Sequence, residues 1–373
     1  MASLGVAVIG TGFMGKCHAM AWSHVRAVFG GNTDIRLEVL CDTNADVTKQ
    51  KAAEAGFRRA ETDWRQLLGD SRIDIVSITT PNNLHREMAV AFLAAGKHVW
   101  CEKPMALTLD DAVAMTTAAA ASKAKTLLGY NYIRNPALAH ARKIVSEGTI
   151  GRIIHFRGQV DEDYQADENV PWSWRSRLET GGLGVLGDLT CHLVSFAHYL
   201  VGDIAQVCAD IDTVHKMRSV PGSGEKRGVE NEDIAHAMVR FGSGATGILM
   251  ASRAAHGRKN MIRVEVHGTK GMIAFDQERM NELQLYVADE PAAERGFKTI
   301  LTGGLHPPYG MFTPAPGHQL GFNELKVIEC KHFVDCIASG EEAYVNFAEG
   351  LKIEKIIHGI AASAASRSWL DVG

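Results

Sequence analysis

From Gly5 to about Tyr130, short β-branched runs alternate with longer stretches whose apolar residues recur at helical spacing. The runs occupy 6–9, 37–40, 75–78, 98–100 and 126–128, with Ala- and Leu-rich stretches such as 87–95 and 108–121 between them. This alternation predicts βαβ units and a parallel sheet. A helix is expected from Pro136 to Gly148, after which the pattern changes. Strand-like segments at 153–157, 207–214, 234–241, 247–251, 262–267 and 283–287 follow one another with turn residues between them. That order predicts a second, largely antiparallel sheet, interrupted by one helical stretch at 187–200. The segment 219–228, rich in Gly, Ser and charge, reads as a surface loop. Helices at about 324–339 and 348–368 close the chain. An α/β domain over 1–135 is therefore expected, followed by an α+β domain with an open, largely antiparallel sheet over 136–373.

The bulk numbers agree with two cores. The chain has 373 residues, 46% of them hydrophobic, more than one ordinary core accommodates. With 39 basic against 43 acidic residues and no long run of either sign, a nucleic-acid partner is not indicated. Seven scattered cysteines without a C-x-x-C pair read as reduced thiols of a cytoplasmic protein. The N-terminus lacks the charged region and cleavage site of a secretory signal, and no stretch of about 18 apolar residues suggests a membrane partner. His155, His236, His256, His306 and His318 show no H-x-x-x-H or H-E-x-x-H spacing, so no metal is expected.

Directly after the first strand comes Gly10-Thr11-Gly12-Phe13-Met14-Gly15, which fits G-x-G-x-x-G where that pattern has mechanical meaning. The first glycine permits the tight turn, the second lets backbone approach a pyrophosphate, and the third lets the helix pack on the strand. The helix N-terminus is then aimed at negative charge. Asp42, at the end of the second strand, is placed to accept hydrogen bonds from the adenosine ribose. Its distance from the glycines exceeds the usual ~20 residues, which a longer first helix and a loop through Gly30-Gly31-Asn32 would explain. Asp42 also suits a helix N-cap, and the two roles are compatible. Thr43 and Asn44 supply no arginine for a 2′-phosphate, so NAD is favoured over NADP.

Two further groups carry chemistry. Glu102-Lys103-Pro104 follows a strand at the carboxyl edge of the parallel sheet, where ligands bind in such folds. Lys103 is either a solvated charge or the group that stabilises developing alkoxide charge during hydride transfer. Asp188 and His192 stand four apart in a stretch read as helical, a spacing that stacks both on one face. The carboxylate can then orient an imidazole that accepts an alcohol proton. An ordinary capped helix, with Asp188 in its first turn and His192 packed, is the alternative.

Together the Gly10–Gly15 loop, Thr80-Pro81-Asn82 with His85, Glu102-Lys103-Pro104, Asn131-Tyr132, Trp174-Arg175, and Asp188 with His192 resemble the Gfo/Idh/MocA family over nearly the whole chain. The resemblance implies an N-terminal Rossmann domain and a C-terminal domain whose open sheet often serves as a subunit interface, hence a homodimer or homotetramer. It implies His192 as acid/base, Lys103 as hydrogen-bond partner of the substrate oxygen, and Asp188 as orienter. Phe13 and Met14 of the loop, with Thr80, Pro81, Asn82, His85, Glu102, Asn131, Trp174 and Arg175, would line the cofactor. Stretches at 12–18, 171–175, 256–258 and 306–309 look like the sugar, anhydrosugar and cyclitol dehydrogenases of that family, so a polyol substrate is expected. In that setting Tyr132, Asp163 and Tyr164 would contact the substrate, although the acidic 161–167 loop also reads as simply solvated. The same resemblance admits a redox-assisted glycoside-cleaving enzyme, and a non-catalytic dinucleotide sensor is the third reading.

Overall fold

In the computed structural model, which describes residues 3–31, 33–315 and 317–373, all five expected N-terminal runs form strands. Asn32 of the expected first loop lies outside the described residues, as do Met1 and Ala2. The strands are β1 (Ser3–Ile9), β2 (Asp34–Cys41), β3 (Arg59–Glu61), β4 (Ile75–Ile78), β5 (His98–Cys101) and β6 (Thr126–Leu128). They pair in the order β3-β2-β1-β4-β5-β6, every pair parallel. Val6, Ala7 and Val8 are all fully buried, as a parallel sheet covered on both faces requires. The strand β3 was not expected: it has three residues and no apolar alternation, and its pairing with β2 defines it.

The chain divides into two compact units. One comprises residues up to Arg134 together with Gly321–Leu351, and the other Asn135–Leu320 with Lys352–Gly373. The second expected domain, 136–373, thus loses Gly321–Leu351 to the first unit. The helix Phe322–Ser339 packs there against the helix Phe13–Phe29.

The second unit is built on β7 (Ile153–Asp161), β8 (Ile204–Asp212), β11 (Ile234–Phe241), β12 (Thr246–Ser252), β13 (Met261–Gly268), β14 (Gly271–Asp276), β15 (Glu282–Val287), β16 (Lys298–Leu301) and β17 (Leu370–Asp371). Between β8 and β11 lie β9 (Met217–Ser219) and β10 (Lys226–Gly228), which form an antiparallel hairpin where only a surface loop was expected. The large sheet runs β16-β15-β14-β13-β7-β12-β11-β8-β17, with β7 and β12 as its parallel pair among the described residues. Alternation sets its faces. Phe156, Val160, Leu249 and Val239 are buried on one side, whereas Arg157, Met238 and Ile248 are exposed on the other. The helix Cys191–Leu200 covers the buried face, and the missing Cβ of Gly158 admits Leu193, which would lie 3.3 Å from it. No helix of the described residues is long and apolar enough to cross a membrane.

One buried cluster holds the first unit together. Lys326 Nζ, with no exposed side-chain surface, reaches Glu102 Oε1 at 2.5 Å and Glu329 Oε2 at 2.8 Å. His18 Nε2 meets the same Glu102 oxygen at 2.8 Å, and its ring lies tilted against Trp100 with centroids 3.9 Å apart. Burial lowers His18 to about 4, so the ring is neutral near neutral pH. Burial also lifts Glu329 to about 7, against the pull of Lys326. The cluster thereby approaches neutrality, with Lys326 and Glu102 as its formal ion pair. Removing one partner of such a pair strands a buried charge. Lys326→Met is expected to lower stability by about 3–5 kcal/mol in urea unfolding. The folded protein keeps on Glu329 a proton that the unfolded chain releases from about pH 4.5 upward. Stability should therefore fall as pH rises from about 4.5 to about 7, and Glu329→Gln should flatten that decline.

Candidate active site

In the first unit the glycine loop behaves as its spacing requires. Gly10 has φ +104°, and a Cβ on Gly15 would stand 2.0 Å from the Gly10 carbonyl oxygen, so neither position tolerates a side chain. Gly12 differs: a Cβ there would meet nothing within 4 Å among the described residues. Gly12 is the N-cap of the helix Phe13–Phe29, whose first turn holds no acid. Amide donors and the positive end of the helix dipole therefore face open space, a setting that fits a pyrophosphate. The Phe13 ring is 72% exposed and stacks on Phe322 at 5.7 Å, while Tyr132 meets Phe322 edge-on at 6.0 Å. Phe322 went unnoticed in the sequence because it lies some three hundred residues from Phe13 and belongs to no local motif.

Asp42 Oδ2 accepts from Thr11 N at 2.8 Å and from Thr11 Oγ1 at 2.7 Å, and Oδ1 accepts from Thr43 N at 2.7 Å. Burial raises this carboxyl, but those donors outweigh it and hold the group below its ordinary range. Asp42 thus braces the glycine loop, with acceptor capacity left for ribose hydroxyls. It is not the cap of the next helix. Asn44 takes that role, accepting from Val47 N at 3.1 Å.

The remaining candidates of this unit divide by burial. His85 is fully buried, its ring nitrogens 3.0 Å from the carbonyl oxygens of Thr80 and Pro104. It ties the Thr80-Pro81-Asn82 turn to the segment after Lys103, and does so from the interior, not as a lining residue. Glu102, also expected to line the cofactor, has its buried carboxylate in the ion cluster with Lys326 and His18. Lys103, the next residue along, is partly exposed. Asn131 is 3% exposed, and its Nδ2 has no partner among the described residues. A buried amide left unsatisfied is costly, which suits a group awaiting a ligand.

In the second unit Asp188 lies in a π-helical turn, Leu186–Thr190, that runs into the helix Cys191–Leu200 carrying His192. The plain helix expected over 187–200 is corrected here: the wider turn changes how a four-residue spacing projects, and such turns concentrate at functional sites. Asp188 Oδ2 accepts from the Tyr164 hydroxyl at 2.6 Å. Asp163, expected to contact substrate, accepts from Lys259 Nζ at 2.6 Å and from Gly257 N at 3.1 Å. Arg175 stacks its guanidinium over Trp174 at 4.4 Å.

A buried polar frame that sequence reading missed supports these residues. Asn231 Nδ2 donates to the carbonyls of Arg175 at 2.7 Å and Gly182 at 3.1 Å, and Asn231 Oδ1 accepts from Arg253. Arg253 Nε pairs with Asp233 Oδ1 at 2.7 Å, both nearly unexposed. Glu232 Oε1 accepts from Leu186 N at 2.9 Å, at the start of the π turn. The available signal was the run Glu230-Asn231-Glu232-Asp233, polar residues abutting a strand with clean alternation.

Residues 4–130 match the model of the oxidoreductase family with an NAD-binding Rossmann fold, and residues 138–274 match the GFO/IDH/MocA C-terminal domain. Levoglucosan dehydrogenase of Pseudarthrobacter phenanthrenivorans is 39% identical over 385 aligned positions, covering 100% of this chain and 99% of that protein. The scyllo-inositol 2-dehydrogenase (NAD(+)) of Bacillus subtilis is 26% identical, covering 98% and 95%. A solved levoglucosan dehydrogenase in complex with NADH and L-sorbose superposes with TM-score 0.97 at 40% identity over 100% of both chains.

The two glycines make opposite predictions. Gly12→Ala should fold with an unchanged Tm yet weaken NADH binding, because its methyl group enters only the open space. Gly15→Ala should lower Tm as well, since its methyl group collides with Gly10. Thermal melts with an NADH fluorescence titration on each variant check both.

Proposed function

Because the chain belongs to the GFO/IDH/MocA oxidoreductase family, we propose that it is an NAD-dependent dehydrogenase oxidising a hydroxyl of an anhydrosugar, sugar or cyclitol. The observation that carries the substrate class is the full-length likeness to levoglucosan dehydrogenase. NAD, when bound, supplies hydride acceptance at its nicotinamide, and the chain supplies the rest. The amides after Gly12 hold the pyrophosphate, and Asp42 keeps the loop in place while offering lone pairs to the adenosine ribose. His192 takes the hydroxyl proton. Lys103 hydrogen-bonds the same oxygen and stabilises the negative charge that builds on it as the C–H bond breaks. Asp188, anchored by Tyr164, favours the protonated imidazole. The exposed Met238 and Ile248 on the open sheet face support self-association through that face.

Mixing the protein and NAD with levoglucosan, inositols and aldoses should raise NADH absorbance with at least one polyol, and less so with NADP. Glycoside cleavage without net NADH would replace this reading with redox-assisted cleavage. His192→Ala should lower kcat by about 10²- to 10⁴-fold while leaving the NADH dissociation constant unchanged.

A further inference from the structure

Arg218, at the centre of β9, is 1% exposed, yet no carboxylate pairs with it among the described residues. Its guanidinium is instead spent on main-chain oxygens of one loop. Nη2 donates to Gln165 O at 2.7 Å, and Nη1 donates to Asp167 O at 2.9 Å and Val170 O at 3.1 Å. Burial lowers this guanidinium below its ordinary range, a sign of what its placement costs. Residues flanking Arg218 and the end of β10 grip the same loop. His215 Nε2 lies 2.9 Å from Ala166 O, Trp172 N donates to Ser219 O at 2.8 Å, and Trp172 Nε1 donates to Gly228 O at 3.0 Å. The hairpin β9–β10 therefore closes on residues 165–172, immediately after Tyr164.

A buried charge whose hydrogen bonds all go to carbonyls, with the Asp233 and Asp167 carboxylates acting on it only from beyond contact, is an expensive way to fix a loop, since apolar packing would cover the same surface without desolvating an ion. A planar fork of donors, however, sets the path of three carbonyls at once, which packing does not. The loop begins directly after Tyr164, whose hydroxyl lies 2.6 Å from Asp188. We infer that Arg218 is a positioning residue: it fixes the 165–170 loop so that Tyr164 holds Asp188, and so acts on the acid/base group without touching substrate or cofactor. This rests on the dehydrogenase reading for its kinetic consequence, though not for the latch itself.

The test is a double-mutant cycle of Arg218→Met and Tyr164→Phe, with hydrogen exchange of the 163–170 amides. Each single change should lower kcat about tenfold at nearly constant KM, and the double variant should be no slower than Tyr164→Phe alone. Arg218→Lys, which keeps the charge but not the fork, should fall between wild type and Arg218→Met, and it serves where Arg218→Met does not fold. Exchange at 163–170 should quicken in the Arg218 variants while the strand amides of the large sheet stay protected. Multiplying kinetic effects would make Arg218 a general stabiliser and overturn the inference, as would unchanged exchange in the loop. Should wild type oxidise no polyol, the dehydrogenase reading fails, and the latch stands or falls on the exchange alone.

Discussion

The first unit depends on a lysine with no access to water. Lys326 can exist there as a cation because the Glu102 carboxylate faces it and Glu329 accepts its hydrogen bond, and Glu102 in turn is tolerated because Lys326 and His18 satisfy it. Such a cluster gives little net stability over a well-packed apolar core. What it gives is uniqueness of placement. Glu102 directly follows β5, so the ion pair anchors the chain where the strand stops and Lys103 begins. It also joins the helix Phe322–Ser339 to the start of the chain, carrying Phe322 to the rings of Phe13 and Tyr132.

The second unit solves a similar problem with hydrogen bonds. Asn231, Glu232, Asp233 and Arg253 are all buried, and each has its partners. Between them they hold the backbone of Arg175, the glycine-rich approach and the first amides of the π turn that carries Asp188. Gly184 shows how tight that approach is, because a Cβ there would lie 2.1 Å from the Glu232 carbonyl oxygen. In both units the residues expected to do chemistry are few, and most of the polar interior is spent on holding them still.

How much of this was legible in the sequence follows from how local each signal is. The strands 75–78, 126–128 and 234–241 agree to the residue with β4, β6 and β11, because each is a compact apolar or alternating run bounded by polar positions. The strand β14 went unread because it opens on Gly271-Met272 directly after a turn, and the β9–β10 hairpin because its turn-rich composition hid two short strands. At the site the same rule holds. The glycine loop is six consecutive residues with one mechanical reading, and its geometry follows that reading. The partners of Glu102, Asp42 and Tyr164 are contacts between distant segments, which no spacing announces. Belonging to the family was legible for a different reason: its motifs are individually weak but jointly specific, and they span both units.

Isotope transfer tests the central claim most directly. The protein would be incubated with NAD and, in turn, levoglucosan, an inositol and an aldose, each deuterated at its carbinol carbons, and the reduced cofactor examined by mass spectrometry. The account predicts NADH carrying one deuterium, accompanied by a ketone of the sugar. Deuterium that stays on the sugar or exchanges into solvent, with none in the cofactor, would contradict it.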